Sequence, residues 1–147
     1  MKTKKSSFKT DTLYPRVTAA VHTILKTKTV VAPVDVMMEI GFLTKECFED
    51  WRFGRVPYLE RVITCNLSKA QRVLMILKYH AEERGLKQSL TVYKKWGKGR
   101  KGLLRFSKSG SPFMEALYAT HYVAGHPKKR SPSEEAPDNP KAGAEAR

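Results

Sequence analysis

Residues 84–110 read RGLKQSLTVYKKWGKGRKGLLRFSKSG and hold nine cations with no Asp or Glu. Two runs inside the stretch, Leu90 to Trp96 and Leu103 to Ser107, carry the β-branched and aromatic residues that favour extended structure. Gly97, Gly99 and Gly102 lie between them and supply a pliable turn. The stretch therefore predicts a β-hairpin with a basic tip over about 90–107. An isolated hairpin is barely stable, so an apolar face of Val92, Leu104 and Phe106 is expected to pack on a helix. The spacing of the glycines is GxGxxG. A dinucleotide-binding loop would open a helix at that point, whereas Leu103-Leu104-Arg105-Phe106 reads as strand.

Upstream of the hairpin the chain reads as helical. Asn66 or Ser68 caps a helix from about Lys69 to Arg84, whose run Val73-Leu74-Met75-Ile76-Leu77 is too wide for one surface stripe. This is the expected central core element. An earlier amphipathic helix is expected from about Thr12 to Thr27, with Pro15 in its first turn. Pro33 opens a helix that reaches Ile40 and Gly41 ends it; Thr44 then caps another, from Lys45 to about Phe53. Helix, short glycine-containing turn, helix is the layout of a helix-turn-helix pair. Ser111 and Pro112 start a last helix, expected to run to about Val123.

The run Glu49-Asp50-Trp51-Arg52-Phe53-Gly54-Arg55-Val56-Pro57-Tyr58-Leu59-Glu60-Arg61-Val62-Ile63 follows the second helix of that pair. With Pro33-Val34-Asp35 before it and Tyr118-Ala119-Thr120-His121-Tyr122-Val123 after it, it resembles a family of small uncharacterised bacterial proteins. The resemblance implies a bacterial setting and no activity, cofactor or partner. Within the run, Arg52 and Arg55 have two readings. Their planar guanidiniums suit bidentate phosphate contacts, and the nearby acids Glu49, Asp50 and Glu60 suit a structural ion-pair network.

The whole chain has 147 residues, with 28 Lys and Arg against 14 Asp and Glu, and a formal charge of +14. This length is one domain with tails. Residues 1–10 are expected to form a flexible basic arm and 11–125 a globular domain. Residues 126–147, rich in Pro, Ala and charge, read as a disordered tail. The net charge concentrates in the arm and in residues 84–114. A charge so far from balance strains a compact state through self-repulsion, and an acidic partner explains it.

Features of several catalytic and metal-binding classes are missing. No HExxH, GxSxG or GxxxxGK[ST] motif is present. Cys47 and Cys65 form no CxxC pair, and His80 with Glu83 is half a metal site at most. No cofactor and no metal are expected. No apolar run approaches the roughly 18 residues of a membrane span, and no secretory signal is evident, so a cytoplasmic location is expected.

The fold expected is mainly α (α+β), with four to five helices, a helix-turn-helix-like pair and one wing-like basic hairpin. The function expected is non-catalytic nucleic-acid binding, with duplex DNA preferred over RNA because helix-turn-helix plus wing is a DNA-docking layout. Residues 45–55 would supply a recognition helix. Lys94, Lys95, Lys98, Arg100, Lys101 and Arg105 would meet phosphates, and Trp96 or Tyr93 would stack on a base or sugar. Arg52 and Arg55 join this candidate set. The competing classes are an interaction or scaffold domain whose basic face meets an acidic protein, and an RNA- or ribosome-associated protein.

Overall fold

The computed structural model describes residues 4–99 and 102–124. Its elements are α1 (Tyr14–Leu25), β1 (Val30–Val31), α2 (Pro33–Ile40), α3 (Lys45–Arg52), α4 (Leu67–Glu83), β2 (Lys87–Leu90), α5 (Pro112–Ala119) and β3 (Thr120–Val123), with two short 3-10 turns at Phe8–Thr10 and Leu59–Val62. Five helices and a three-stranded antiparallel sheet make an α+β fold.

Local chemistry sets most helix ends. Pro33 sits in the first turn of α2, and Gly41 closes it at φ +99°, a left-handed conformation natural to glycine. The Thr44 side chain accepts from the Cys47 N–H and starts α3. Asn66 does the same for Lys69 at the head of α4, and Ser111 for Met114 at the head of α5. These caps satisfy N–H groups that have no partner within the helix.

Helix α4 is the central element: Val73, Leu74, Ile76 and Leu77 are all buried, and α1 and α5 pack against it. α1 adds Val17, Val21 and Ile24, and α2 adds Val34, Val36 and Met37. Within the stretch read as a basic arm, Phe8 is buried. Its ring meets Tyr14 and Tyr79 at 5.7 and 5.5 Å, while Lys5 and Lys9 pair with Glu82 and Glu83 at the end of α4.

The sheet differs from the expected hairpin. Its order is β1-β3-β2, and the central strand β3 is made by residues expected to extend the last helix. Thr120, Tyr122 and Val123 are β-formers, and their backbone pairs with both neighbours: Val31 with Tyr122 on one side, Ser89 with His121 on the other. The regular strand of the basic stretch lies at Lys87–Leu90, upstream of the expected Leu90 to Trp96. Among the described residues, 91–99 and 102–106 are joined by one bridge, Lys94 with Leu103, and two hydrogen bonds, Lys95 N–H to the Gly102 carbonyl and Leu104 N–H to the Tyr93 carbonyl.

A longer ladder does not form because its backbone groups have other partners. The Trp96 N–H donates to the Arg52 carbonyl at 2.7 Å. The Arg105 carbonyl takes both the Leu59 N–H and the Trp51 indole N–H, and the Phe106 carbonyl takes the Glu60 N–H. The Phe106 and Ser107 N–H groups go to the Glu115 carboxylate. The basic excursion is thus stitched to α3, to the second 3-10 turn and to α5.

Candidate nucleic-acid interface

The excursion is anchored by aromatic contact. Trp51, fully buried on α3, lies 5.3 Å from the Tyr93 ring and 5.0 Å from Phe106, and Phe106 stacks on Tyr118 at 5.4 Å. Val92, expected to face the core, is instead exposed, while Leu104 is half-buried and Phe106 fully so. Two carboxylates brace the chain behind the anchor. Glu60 is buried, accepting the Lys108 N–H and the Tyr118 hydroxyl at 2.8 Å each. Glu115 takes the Ser107 N–H at 2.7 Å and its hydroxyl at 2.6 Å. Both oxygens of each acid are occupied by donors from the fold.

The candidate residues separate into three groups. Lys94, Lys95, Trp96 and Lys98 come together at the outer end of the excursion. Lys94 and Lys98 are exposed and Lys95 is half-buried, its stem running over Gly54. Gly54 has φ +75°, and a Cβ there would meet the Lys95 Cε at 3.0 Å, so glycine opens the path that this side chain follows. Trp96 is 38% exposed and meets Phe48 and Phe53 edge-to-face at 6.0 and 5.5 Å.

The second group is tied into the fold. Tyr93 is buried, with its hydroxyl 2.8 Å from Nε2 of His121, so of the two expected stacking groups only Trp96 offers a face to solvent. Burial raises the Tyr93 hydroxyl well above the ordinary tyrosine range and lowers His121 to about 4. Arg55 pairs with Asp50 at 2.9 Å and covers the Phe53 ring, which is the structural reading of that residue. Arg105 donates to the Ser107 and Lys108 carbonyls and lies over Tyr58, closing the loop that follows the excursion.

Arg52 takes no part in the expected ion-pair network among the described residues. Its guanidinium sits between two rings, 4.9 Å from the Tyr93 centroid and 4.5 Å from Trp96. It donates to the Lys94 carbonyl at 3.1 Å, and burial lowers its pKa. It holds the inner face of Trp96. Nothing local in the sequence marks that role, because its partners lie some forty residues on. Arg100 and Lys101 lie outside the described residues.

The electrostatics of the stretch differ from the rest of the fold. The ion pairs of the described residues use Lys5, Lys9, Lys28, Arg55, Arg72 and Lys78. None uses Arg84, Lys87, Lys94, Lys95, Lys98, Arg105 or Lys108. Six of the thirteen described cations outside the stretch meet acids; Asp11, for one, receives two hydrogen bonds from Arg72, at 2.9 and 2.7 Å, which hold its carboxyl below the usual range. Helix α3, the expected recognition helix, bears Glu46, Glu49 and Asp50 against Lys45 and Arg52.

Among the described residues no helix is long and apolar enough to cross a membrane, and no group of three His, Cys, Asp or Glu could hold a metal. Cys47 and Cys65 are free and half-buried. Comparison of the chain with protein-family models, with curated proteins and with solved structures gives no match.

Proposed function

We propose that this is a non-catalytic, cytoplasmic nucleic-acid-binding protein that grips phosphates with the basic excursion and stacks Trp96 against a base or sugar. The supporting observation is that none of the seven described cations of residues 84–110 pairs with a carboxylate among the described residues, whereas six of the thirteen described cations elsewhere do. A cation left unpaired retains its full attraction for phosphate. Lys94, Lys95 and Lys98 flank an aromatic face supported from beneath by a guanidinium, which is the combination that polynucleotide grooves use.

The proposed contact is the excursion and not α3. The net charge of α3 is negative, and phosphates repel it. A duplex would meet the lysines alone, because its bases are stacked; an unpaired or frayed strand would also offer a base to Trp96.

The experiment is fluorescence anisotropy with labelled duplex DNA, single-stranded DNA and structured RNA at about 50 and 200 mM salt. Five neutralised phosphates would weaken binding by roughly 10²–10³ over that range. The triple variant Lys94→Ala, Lys95→Ala, Lys98→Ala should lose about three counterions of salt dependence on every polymer, and Trp96→Ala should weaken the single strand most. Unchanged affinity in the triple variant would remove the excursion from the interface.

A further inference from the structure

Strand β2 has a free edge. β3 lies on one side of it, β1 lies beyond β3, and among the described residues no strand lies on the other side. All four residues of β2 are exposed, and Leu90 is 71% accessible. The hydrogen-bond phase follows from the ladder. Thr91 donates to the Ala119 carbonyl, and in an antiparallel pair bonding residues alternate. Ser89 and Lys87 therefore also face β3, and the N–H and C=O groups of Gln88 and Leu90 point to the open side. Beyond them Val92 is 62% accessible. An open backbone edge and exposed aliphatic side chains thus occupy the same place.

Proteins usually blunt such an edge with charge, proline or a covering segment. Here the guard is cationic: Arg84, Lys87 and Lys94 bracket the strand, and no acid occurs from residue 84 to 114. That charge repels a second copy of the same edge and attracts an acidic chain. Phosphate oxygens only accept, so they complement the N–H groups of such a row but not its carbonyls.

We propose that the β2 edge is a docking site for an extended acidic segment of a partner protein, which adds as a fourth strand. Its backbone bonds to Gln88 and Leu90, its alternate aliphatic side chains cover Leu90 and Val92, and its carboxylates meet Lys87 and Lys94. Main-chain pairing supplies affinity, and the side-chain alternation supplies selection.

The test uses two fluorescein-labelled nine-residue peptides of equal charge, one alternating Val with Glu and one alternating Pro with Glu. Both are titrated with the full chain by anisotropy. The Val peptide should bind at least tenfold more tightly, because alternate prolines lack the donors of a strand. Gln88→Pro removes an outward N–H that β3 does not use, a position where edge strands tolerate proline, and should weaken the Val peptide at least tenfold. In the unmodified chain, hydrogen exchange at the Gln88 and Leu90 amides should slow when the Val peptide is added. Equal affinity for the two peptides would overturn the proposal. So would unchanged exchange at those two amides, whether or not the Gln88→Pro variant folds.

Discussion

Arg52 is the residue where fold and proposed interface meet, and its removal should be felt in both. The guanidinium lies 4.9 and 4.5 Å from the Tyr93 and Trp96 rings and donates at 3.1 Å to the Lys94 carbonyl. Each cation–π contact contributes about 0.5–2 kcal/mol, and a hydrogen bond from a charged donor about 1.5–3 kcal/mol. The desolvation that lowers the Arg52 pKa offsets part of this, as does its Nε, which is buried without an acceptor. Arg52→Ala should therefore destabilise the protein by about 2–3 kcal/mol. Arg52→Met keeps a stem between the rings but no charge, and should lose about 1–2 kcal/mol. Urea denaturation followed by tryptophan fluorescence measures both. With slopes of about 1–3 kcal/mol per molar urea, the midpoint of the alanine variant should fall by roughly 1 M. Acrylamide should quench Trp96 more readily in that variant, while Trp51 stays protected until unfolding. A methionine variant as stable as the native chain would refute the reasoning, since the guanidinium would then contribute nothing beyond its apolar stem.

Leu74→Ala, at the buried centre of α4, should cost about 2–5 kcal/mol, and a melting temperature that barely moves would displace α4 from its central role. Phe8→Ala should destabilise by about 3 kcal/mol and deletion of residues 1–10 by at least as much; an unaffected urea midpoint in the deletion would show that Phe8 does not anchor that segment. Stability should fall as pH is lowered from about 6.5 toward 4. In that window an unfolded His121 binds a proton that the folded one, held near 4 by burial, refuses. The loss should reach on the order of 2–3 kcal/mol, with His80, also lowered by burial, acting in the same direction. The urea midpoint of His121→Phe should depend less steeply on pH than that of the native chain, and an equal slope would assign the effect to other groups.

The helical part of the fold was legible wherever one residue type fixes a backbone conformation. Pro33 and Gly41 bound α2, while Thr44, Asn66 and Ser111 begin α3, α4 and α5, and each acts within one turn of its own position. The sheet was not legible, because its strands are chosen by pairing across the chain. Lys87-Gln88-Ser89-Leu90 has neither apolar alternation nor strong β propensity, yet it forms a strand because β3 offers it partners. Thr120–Val123 continues the apolar pattern of α5 until the backbone turns. For the proposed interface, charge marked Lys94 and Lys98, which the fold leaves exposed, and Lys95, which it half-buries. The burial of Tyr93 and the stacking of Arg52 depend on Trp51, Phe106 and Tyr118 converging from distant segments.

The order of the strands also governs how the molecule can be made. β3 is the middle strand of the sheet but follows β1 by roughly 90 residues, which a ribosome adds in roughly 5–20 s at about 5–20 residues per second. Throughout that interval β1 has no mate, and β2, once made, still waits for its own. Helices α1, α2 and α4 can collapse on one another earlier, since their contacts do not require β3. A nascent chain halted before Thr120 would then hold a helical core with two unmated edges, a species open to chaperones and to aggregation. The sheet cannot be completed until Thr120–Val123, its central strand and the last to be synthesised, has been made.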